Sequence, residues 1–295
     1  MATVAEPSAA HPASRFAGIG VTYEGRDPAL LERMLPLVDY IEVTPETIAE
    51  QHGDRLALSS AVMAELRALN GAAKILVHGV SLSIGSHDGW APSYFQLLEE
   101  LLDQLDVAWH SEHLAYTRVD GQHLGIMLAM AKTNEALDLI CERVDAIQAR
   151  YKLPFLLENV VHVVPDAPGD FSEAGFLNAL AARTGCGLIL DAYNLECDAH
   201  NQGFDIEAFL DELDHRHVRE LHVACGVEDN GFLLDVHSRL VRPSTLELAE
   251  RVVRSANGAV QVVTYEFMPE AIPGLGHDAI VQQLLELRRA LARLP

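Results

Sequence analysis

The sequence of 295 residues is poor in basic side chains and in long apolar runs. It has 21 Lys and Arg against 43 Asp and Glu, which gives a formal net charge of -22. A basic face supplies most of the affinity of proteins for phosphate backbones, so this balance argues against binding of nucleic acid. No apolar run approaches the roughly 20 residues that a membrane helix needs. We therefore expect neither a nucleic-acid nor a membrane partner.

Paired cysteines and a signal peptide are also missing. The four cysteines, Cys141, Cys186, Cys197 and Cys225, show no CxxC or other paired spacing. Free thiols in a reducing compartment explain them most simply, so we expect a cytoplasmic protein. Residues 1–15 are rich in Ala, Ser and Pro and lack a basic start and an apolar core. We interpret them as a disordered tail, and residues 16–295 as a single domain without an internal linker.

The rest of the chain alternates short β-type runs with amphipathic helical stretches. Strands are predicted near residues 17–22, 40–44, 74–78, 107–113, 154–159, 187–191, 218–223 and 260–266. Helices are predicted over residues 28–37, 59–69, 93–105, 134–151, 172–184, 205–213, 244–257 and 277–294. Eight strand–helix units whose strands are buried on both faces predict an α/β protein with a (β/α)8 TIM barrel.

Most of these strands end in a side chain of a type that binds metal ions. The candidate ligands are His78, His113, Glu158, Asp191, His222 and Glu266 at the ends of strands three to eight, with Asn194, Asp235 and His237 in the segments that follow strands six and seven. Alone, each would more often be a hydrogen-bonded core residue or a helix cap. Together they would meet at the carboxyl face of the barrel, where active sites lie. Buried carboxylates are costly unless paired or metal-bound.

His and carboxylate ligands without cysteine suit iron, manganese or zinc. The series therefore predicts a multinuclear metal site in the mouth of the barrel.

The local motifs also resemble those of a known family. They are Leu76-Val-His-Gly-Val-Ser-Leu-Ser-Ile-Gly85, Ser111-Glu-His-Leu114, Glu158-Asn-Val160, Leu190-Asp-Ala-Tyr-Asn194, Leu221-His-Val-Ala224 and Asp235-Val-His237. Together they are similar to the motifs of the multinuclear non-haem iron-dependent oxidases, which include the methanobactin biosynthetic oxidase. That family lies within the endonuclease IV and xylose isomerase-like barrel superfamily. The resemblance runs from about Gly18 to Glu266.

The resemblance implies two or three iron ions of mixed Fe(II) and Fe(III) state, with O2 as co-substrate. The substrate would be a residue, commonly Cys, of a ribosomally made precursor peptide, and a small companion protein would bind the leader segment of that peptide. Glu158 would bridge two ions, of which one is completed by His78 and His113. Asp191, His222 and Glu266 would complete the other, which makes Glu158, Asp191 and His222 the catalytic ligands.

A third, more weakly held ion is implied at Asn194, Asp235 and His237. Relatives often carry a His in the second-strand motif where this chain has Thr44, and this departure is one reason to expect weaker binding there.

One alternative function stays open at this point. A zinc or manganese hydrolase or isomerase of the endonuclease IV or xylose isomerase type would use a similar barrel and similar ligands. The acidity of the chain argues against DNA as its substrate. Asn194 argues against both types, because an endonuclease-like site is expected to have His at that position.

Other charged residues carry weaker predictions. Arg239, which follows the Asp235-Val-His237 motif, is a candidate to bind a peptide carboxylate, with a structural ion pair as the alternative. Six further histidines do not lie at a strand end and are expected mostly at the surface: His110, His123, His162, His200, His215 and His217. Of these, His162 and His200 are candidates for the rim of the site.

Overall fold

Eight parallel strands form a closed barrel in the computed structural model, which describes residues 18–53, 55–69, 71–165 and 167–294. The predicted tail, residues 1–15, lies outside the described residues. We number the barrel strands β1 (Gly18–Thr22), β2 (Tyr40–Val43), β3 (Lys74–Gly79), β4 (Val107–His113), β5 (Phe155–Glu158), β6 (Gly187–Asp191), β7 (Val218–Val223) and β8 (Val262–Tyr265). β1 pairs with β2 on one side and with β8 on the other, which closes the barrel. The predicted (β/α)8 TIM barrel is confirmed.

Helices connect the strands around the outside of the barrel. The α-helices are Pro28–Met34, Ser60–Ala68, Pro92–Leu102, Asn134–Tyr151, Glu173–Thr184, Ala192–Gln202, Ile206–Glu212, Pro243–Ser255, Ile272–Leu275 and His277–Leu291. Short 3-10 segments occupy Leu35–Leu37, His215–His217 and Pro269–Ala271. The sequence pattern did not predict the helix Ala192–Gln202. It begins directly after β6, where the Asp191 side chain accepts a hydrogen bond from the Asn194 backbone at 2.6 Å.

Three antiparallel hairpins follow β2, β4 and β7 at the carboxyl face of the barrel. The first pairs Ala49–His52 with Arg55–Leu58, the second Ala115–Val119 with Gln122–Ala129, and the third Val227–Asp229 with Phe232–Leu234. Gly226 precedes the third hairpin, and a Cβ atom there would collide with the Leu234 carbonyl group. The glycine therefore lets the third hairpin fold back closely on the end of β7.

Side chains inside the barrel form an apolar layer beneath a polar one. The apolar cluster consists of Tyr40, Leu76, Trp109, Leu156, Ile189 and Val262. Residues two positions further along a strand face the same side. His78, Glu158 and Asp191 each stand two positions after a member of the apolar cluster, namely Leu76, Leu156 and Ile189. The period of the strands therefore brings these ligand-type side chains into one layer, with the larger apolar core between barrel and helices.

Candidate metal centre

Glu158, at the end of β5, is the meeting point of three imidazoles. Its Oε2 atom lies 2.9 Å from Nε2 of His78 and 3.4 Å from Nε2 of His113. Its Oε1 atom lies 3.2 Å from Nδ1 of His222. The Glu158 side chain is 2% exposed. The two oxygens of one buried carboxylate thus face two different sets of histidines.

The side chains around Glu158 form two overlapping groups with the spacing of metal ligands. One group is His78, His113 and Glu158, and the other is Glu158, Asp191, His222 and Glu266. Within each group, the ligand atoms all lie within 4.8 Å of one another. Ligands that share an ion at about 2.0 to 2.2 Å lie at most about 4.4 Å apart. Small side-chain adjustments would therefore bring either group onto an ion.

Several buried polar atoms in this region form no hydrogen bond of normal geometry with the described residues, although some ring nitrogens and carboxylate oxygens lie close together. They are Glu158 Oε2, Asp191 Oδ2, Asn194 Oδ1, His222 Nε2, Asp235 Oδ1 and His237 Nε2. Buried polar atoms are normally satisfied, so oxygen and nitrogen atoms that converge without hydrogen bonds fit a bound cation. The donor set of carboxylates, imidazoles and one amide suits iron, manganese or zinc.

Two of the imidazoles are held so that Nε2 points into the cluster. The Ser111 hydroxyl group donates to the Val77 carbonyl oxygen at 3.0 Å and lies 2.9 Å from Nδ1 of His78. Nδ1 of His113 lies 3.1 Å from the carbonyl oxygen of Gly79, to which it can only donate. A ring nitrogen that donates leaves the other nitrogen with the lone pair that binds a metal.

The electrostatics of the site depend on how each carboxylate is surrounded. Burial alone would raise the pKa of Glu158, but the imidazoles around it, first of all His222, hold that pKa well below its usual value. Burial likewise opposes ionisation of Glu266, and His222 and His237 lower its pKa to about 2. The pKa of Asp191 is instead raised well above its usual value, by burial and then by Asp235 and other carboxylates. A cation beside Asp191 would favour its ionised form.

The third predicted position is more open than the other two. The Asn194 side-chain amide donates to the Asn159 carbonyl oxygen at 3.0 Å, which leaves Asn194 Oδ1 as the available atom. Nε2 of His237 lies 2.7 Å from Asp235 Oδ1, and both side chains are about a fifth to a quarter exposed, at 19% and 25%. In the described part of the chain, no group of three His, Cys, Asp or Glu ligands includes either of them.

The backbone at His237 has a φ of 42°, in the left-handed region that a non-glycine residue seldom adopts.

A cavity of about 550 Å³ lies above this third position. His113, Asn194 and Asp235 line its inner part, while Ile126 of the second hairpin and Phe232 of the third line its walls. Ile126 and Phe232 are 44% and 54% exposed, so an apolar rim surrounds the approach to the ligand cluster. None of the described residues that line the cavity is Lys or Arg.

Arg239 lies in the same loop as Asp235 and His237. Its side chain is exposed and donates to the Ser238 carbonyl oxygen at 2.9 Å. It forms no ion pair with the described residues, and it lines a second cavity of about 690 Å³ together with Asp235 and Met268.

Two of the six histidines expected mostly at the surface are buried. His110 is 0% exposed and packs its ring against Phe155 and Tyr151 between barrel and helices. His162 is 8% exposed, and its Nδ1 atom lies 2.6 Å from Asp198 Oδ2. The expectation of a surface position was wrong for His110, because an aromatic pocket encloses it. His162, a candidate for the rim of the site, lines the cavity above the ligand cluster.

Sequence reasoning missed two buried glutamates that adjoin the cluster from below. Glu42 on β2 and Glu220 on β7 are 1% and 0% exposed, and they lie 3.4 and 3.6 Å from Nε2 of His222. The period of two along the strands was the available signal, because Glu42 follows Tyr40 and Glu220 precedes His222 by two positions.

The fold and these ligand groups define a TIM-barrel protein with a candidate metal centre at the carboxyl ends of its strands. The family model of the RiPP (ribosomally synthesised, post-translationally modified peptide) precursor modification enzymes MbnB/TglH/ChrH matches residues 17–275. The chain belongs to this family, as the resemblance of its motifs predicted.

Relatives of similar length support that membership. A UPF0276 protein of Anaeromyxobacter sp. is 30% identical over 276 residues, which cover 94% of this chain and 92% of the relative. A UPF0276 protein of Rhizorhabdus wittichii is 35% identical over 217 residues, or 73% of this chain and 75% of the relative.

Solved structures with a similar fold come from sugar-isomerising barrels and their relatives. The IolI protein with a bound zinc atom superimposes with a TM-score of 0.60 at 17% identity, and 94% of this chain and 99% of that one are covered. The D-psicose 3-epimerase of Clostridium cellulolyticum gives a TM-score of 0.56 at 14% identity, with 93% and 99% covered. Identities this low show the barrel fold alone. Among the described residues, no helix is long and apolar enough to cross a membrane.

Proposed function

We propose that this protein is an iron-dependent oxidase that uses O2 to modify a residue of a ribosomally synthesised precursor peptide. The observation that carries the proposal is the position of Glu158 between two ligand groups, each with the spacing of a metal site. Family membership supports a precursor peptide as the substrate. We take the modified residue to be Cys, the commonest one in the related oxidases.

In this proposal, each side chain of the cluster has a defined role. Glu158 would offer one carboxylate oxygen to each of two ions. His78 and His113 complete one position, while Asp191, His222 and Glu266 complete the other. Asn194, Asp235 and His237 form a third position that holds its ion less tightly. Iron at these positions would supply the one-electron chemistry and the O2 activation that no protein side chain provides.

The protein itself would position the peptide and limit the access of water. The cavity between the second and third hairpins leads from an apolar rim to His113, Asn194 and Asp235, so a peptide side chain placed there would reach the ligand cluster. Apolar walls around a few polar groups are typical of sites that bind small parts of a substrate. Arg239 is a proposed contact for a carboxylate of the peptide, from the neighbouring cavity. A companion protein that delivers the leader segment remains part of the proposal.

The alternative is a zinc or manganese isomerase or hydrolase on the same barrel. The similar solved structures include epimerases, which favours it at the level of the fold. The family match and the additional ligand-type side chains Asn194, Asp235 and His237 favour the oxidase.

Iron analysis of the protein purified without oxygen tests the proposal. The wild type should contain two or three iron ions per chain and absorb visible light. Glu158→Gln should lose most of this iron, because an amide bridges two cations poorly and removes a negative charge. Glu173→Gln is the matched control, since Glu173 is a buried carboxylate that pairs with Lys132 instead.

Full iron retention in Glu158→Gln would contradict the proposed bridge. A colourless protein that holds only zinc and isomerises sugars would favour the alternative. For the oxidase, consumption of O2 should require a precursor peptide encoded near the gene, and the mass of that peptide should change.

A further inference from the structure

His222 is oriented differently from the other two imidazoles at Glu158. His78 and His113 present Nε2 to the Glu158 carboxylate, and their Nδ1 atoms face Ser111 and the Gly79 carbonyl oxygen. His222 presents Nδ1 instead, at 3.2 Å from both Glu158 Oε1 and Glu266 Oε2. Its Nε2 atom points down into the barrel, towards Glu42 and Glu220. The ring therefore separates two pairs of carboxylates.

The lower pair is built differently from the upper pair. Glu220 is already held on both oxygens, because Trp109 Nε1 donates to Oε2 at 2.8 Å and the Thr264 hydroxyl group donates to Oε1 at 2.6 Å. Neither oxygen of Glu42 has a hydrogen-bond partner among the described residues. His222 Nε2, which also has no hydrogen-bond partner among the described residues, lies 3.4 Å from Glu42 Oε2.

The surroundings decide which nitrogen would bind the ion. Above the ring, Glu158 and Glu266 belong to the ligand groups and lie below the open mouth of the barrel. Below it, Glu42, Glu220 and His222 also have the spacing of a ligand group. Both oxygens of Glu220 already accept hydrogen bonds, however, and the apolar layer that includes Leu76, Trp109 and Leu156 lies beneath. A neutral imidazole has one donor and one acceptor nitrogen. A lone pair on Nδ1 for the ion therefore requires the proton on Nε2, where two carboxylates can accept it.

We infer that His222 binds its ion through Nδ1, and that Glu42 and Glu220 hold the ring in this orientation by accepting from Nε2–H. Both glutamates are thus positioning residues that touch neither ion nor substrate. A carboxylate behind a metal-bound imidazole fixes the tautomer and makes the nitrogen a stronger donor. The inference rests on the metal centre of the proposed function, but not on iron, O2 or a peptide.

The tautomer can be measured directly in zinc-loaded protein with isotope-labelled histidine. Long-range proton–nitrogen correlation spectra distinguish an imidazole bound through Nδ1 from one bound through Nε2, and loss of signals in His222→Gln identifies the His222 ring. We expect His222 to be bound through Nδ1 with its proton on Nε2, and His78 to show the reverse. A His222 ring bound through Nε2 would overturn the inference without any change to the fold.

Zinc affinity, measured by competition with a chelator, tests the two glutamates. Glu220→Gln and Glu42→Gln should each weaken binding at the His222 position by about 10- to 100-fold, the usual effect of losing the partner of a metal-bound histidine. Glu173→Gln, which removes a buried carboxylate elsewhere, should leave the affinity unchanged.

Unchanged affinity in both Glu42→Gln and Glu220→Gln would overturn the inference while the metal centre stands. An additional ion that is lost only in these variants would make the glutamates ligands, and would overturn it as well. A wild type that binds no metal would count against the proposed function itself.

Discussion

At the scale of single residues, Glu158 links the two ligand groups of the candidate metal centre. Its carboxylate belongs both to the group with His78 and His113 and to the group with Asp191, His222 and Glu266. His113 and Asp191 each belong to only one of the ligand groups formed by the described residues. A change at Glu158 therefore affects both positions at once, whereas a change at His113 affects one.

His110 makes the stability of the protein sensitive to acid. Burial lowers the pKa of this histidine from 6.5 to about 4, and neither ring nitrogen has a hydrogen-bond partner among the described residues. The unfolded chain therefore binds a proton near pH 6.5 while the folded protein does not, so stability is lost as the pH falls below that value. Between pH 6.5 and 5, His110→Phe should lose about 1.6 kcal/mol less unfolding free energy than the wild type.

Urea unfolding at the two pH values measures this difference. The exposed His123, changed to Phe, is the control and should show the same loss as the wild type. An equal loss in His110→Phe would mean that other groups account for the acid sensitivity.

At the scale of elements, the helix Ala192–Gln202 begins on a residue with two roles. One oxygen of Asp191 caps the helix through the Asn194 backbone, while the other is buried without a hydrogen-bond partner in the described residues. Asp191→Asn keeps a good helix cap and should change stability by less than about 0.5 kcal/mol, yet weaken metal binding. Asp191→Ala should lose metal and a further ~1 kcal/mol of stability.

Metal content and urea unfolding of the apoproteins measure the two effects separately. If Asp191→Asn binds metal as tightly as the wild type, Asp191 serves only as a cap.

The third hairpin depends on the close approach at Gly226. Gly226→Ala would place a methyl group against the Leu234 carbonyl group, and the backbone must move to avoid it. Overpacking of this kind typically costs about 1 to 3 kcal/mol. We expect this loss of stability together with weaker binding of the ion at Asp235 and His237, which follow the hairpin. Gly274→Ala, with no atom within 4 Å of the added carbon, is the control.

The outcome is read from urea unfolding and from the number of ions that gentle chelation removes. Unchanged stability and ion number in Gly226→Ala would show that the hairpin does not fix these ligands.

At the scale of the whole molecule, metal should stabilise the fold, because the ligands come from six barrel strands and the loops after them. A ligand present at 100 times its dissociation constant adds about 2.7 kcal/mol to the unfolding free energy. For a chain of this size, each kcal/mol corresponds to roughly 2 °C in Tm. Loading with Fe(II) or Zn(II) should raise the Tm by at least about 5 °C. Glu158→Gln should show a much smaller rise in the same thermal scan.

The barrel and most of the cluster could be predicted from the sequence for a physical reason. Buried strands alternate with amphipathic helices, and ligand-type residues stand at strand ends, so pattern and topology together place them at one face. The helix Ala192–Gln202 was not predicted, because its polar sequence has only a weak apolar stripe. Its start depends on a cap that Asp191 provides only in the folded barrel.

Glu42 and Glu220 were not identified from the sequence, because each stands within a strand and not at its end. Their partners Trp109, Thr264 and His222 are on other strands, so only the closed barrel shows that the two carboxylates share an environment.

The ligands of the candidate centre are spread along the chain from His78 to Glu266, and the barrel closes only when β8 pairs with β1. β8 and Glu266 come late in the chain, and β7, which carries His222, lies between β6 and β8 in the sheet. A growing chain on the ribosome has its early ligands, His78 and His113, long before it has the last. Metal offered at that stage would meet an incomplete and exchangeable set, so the complete centre forms only after synthesis of the barrel is finished.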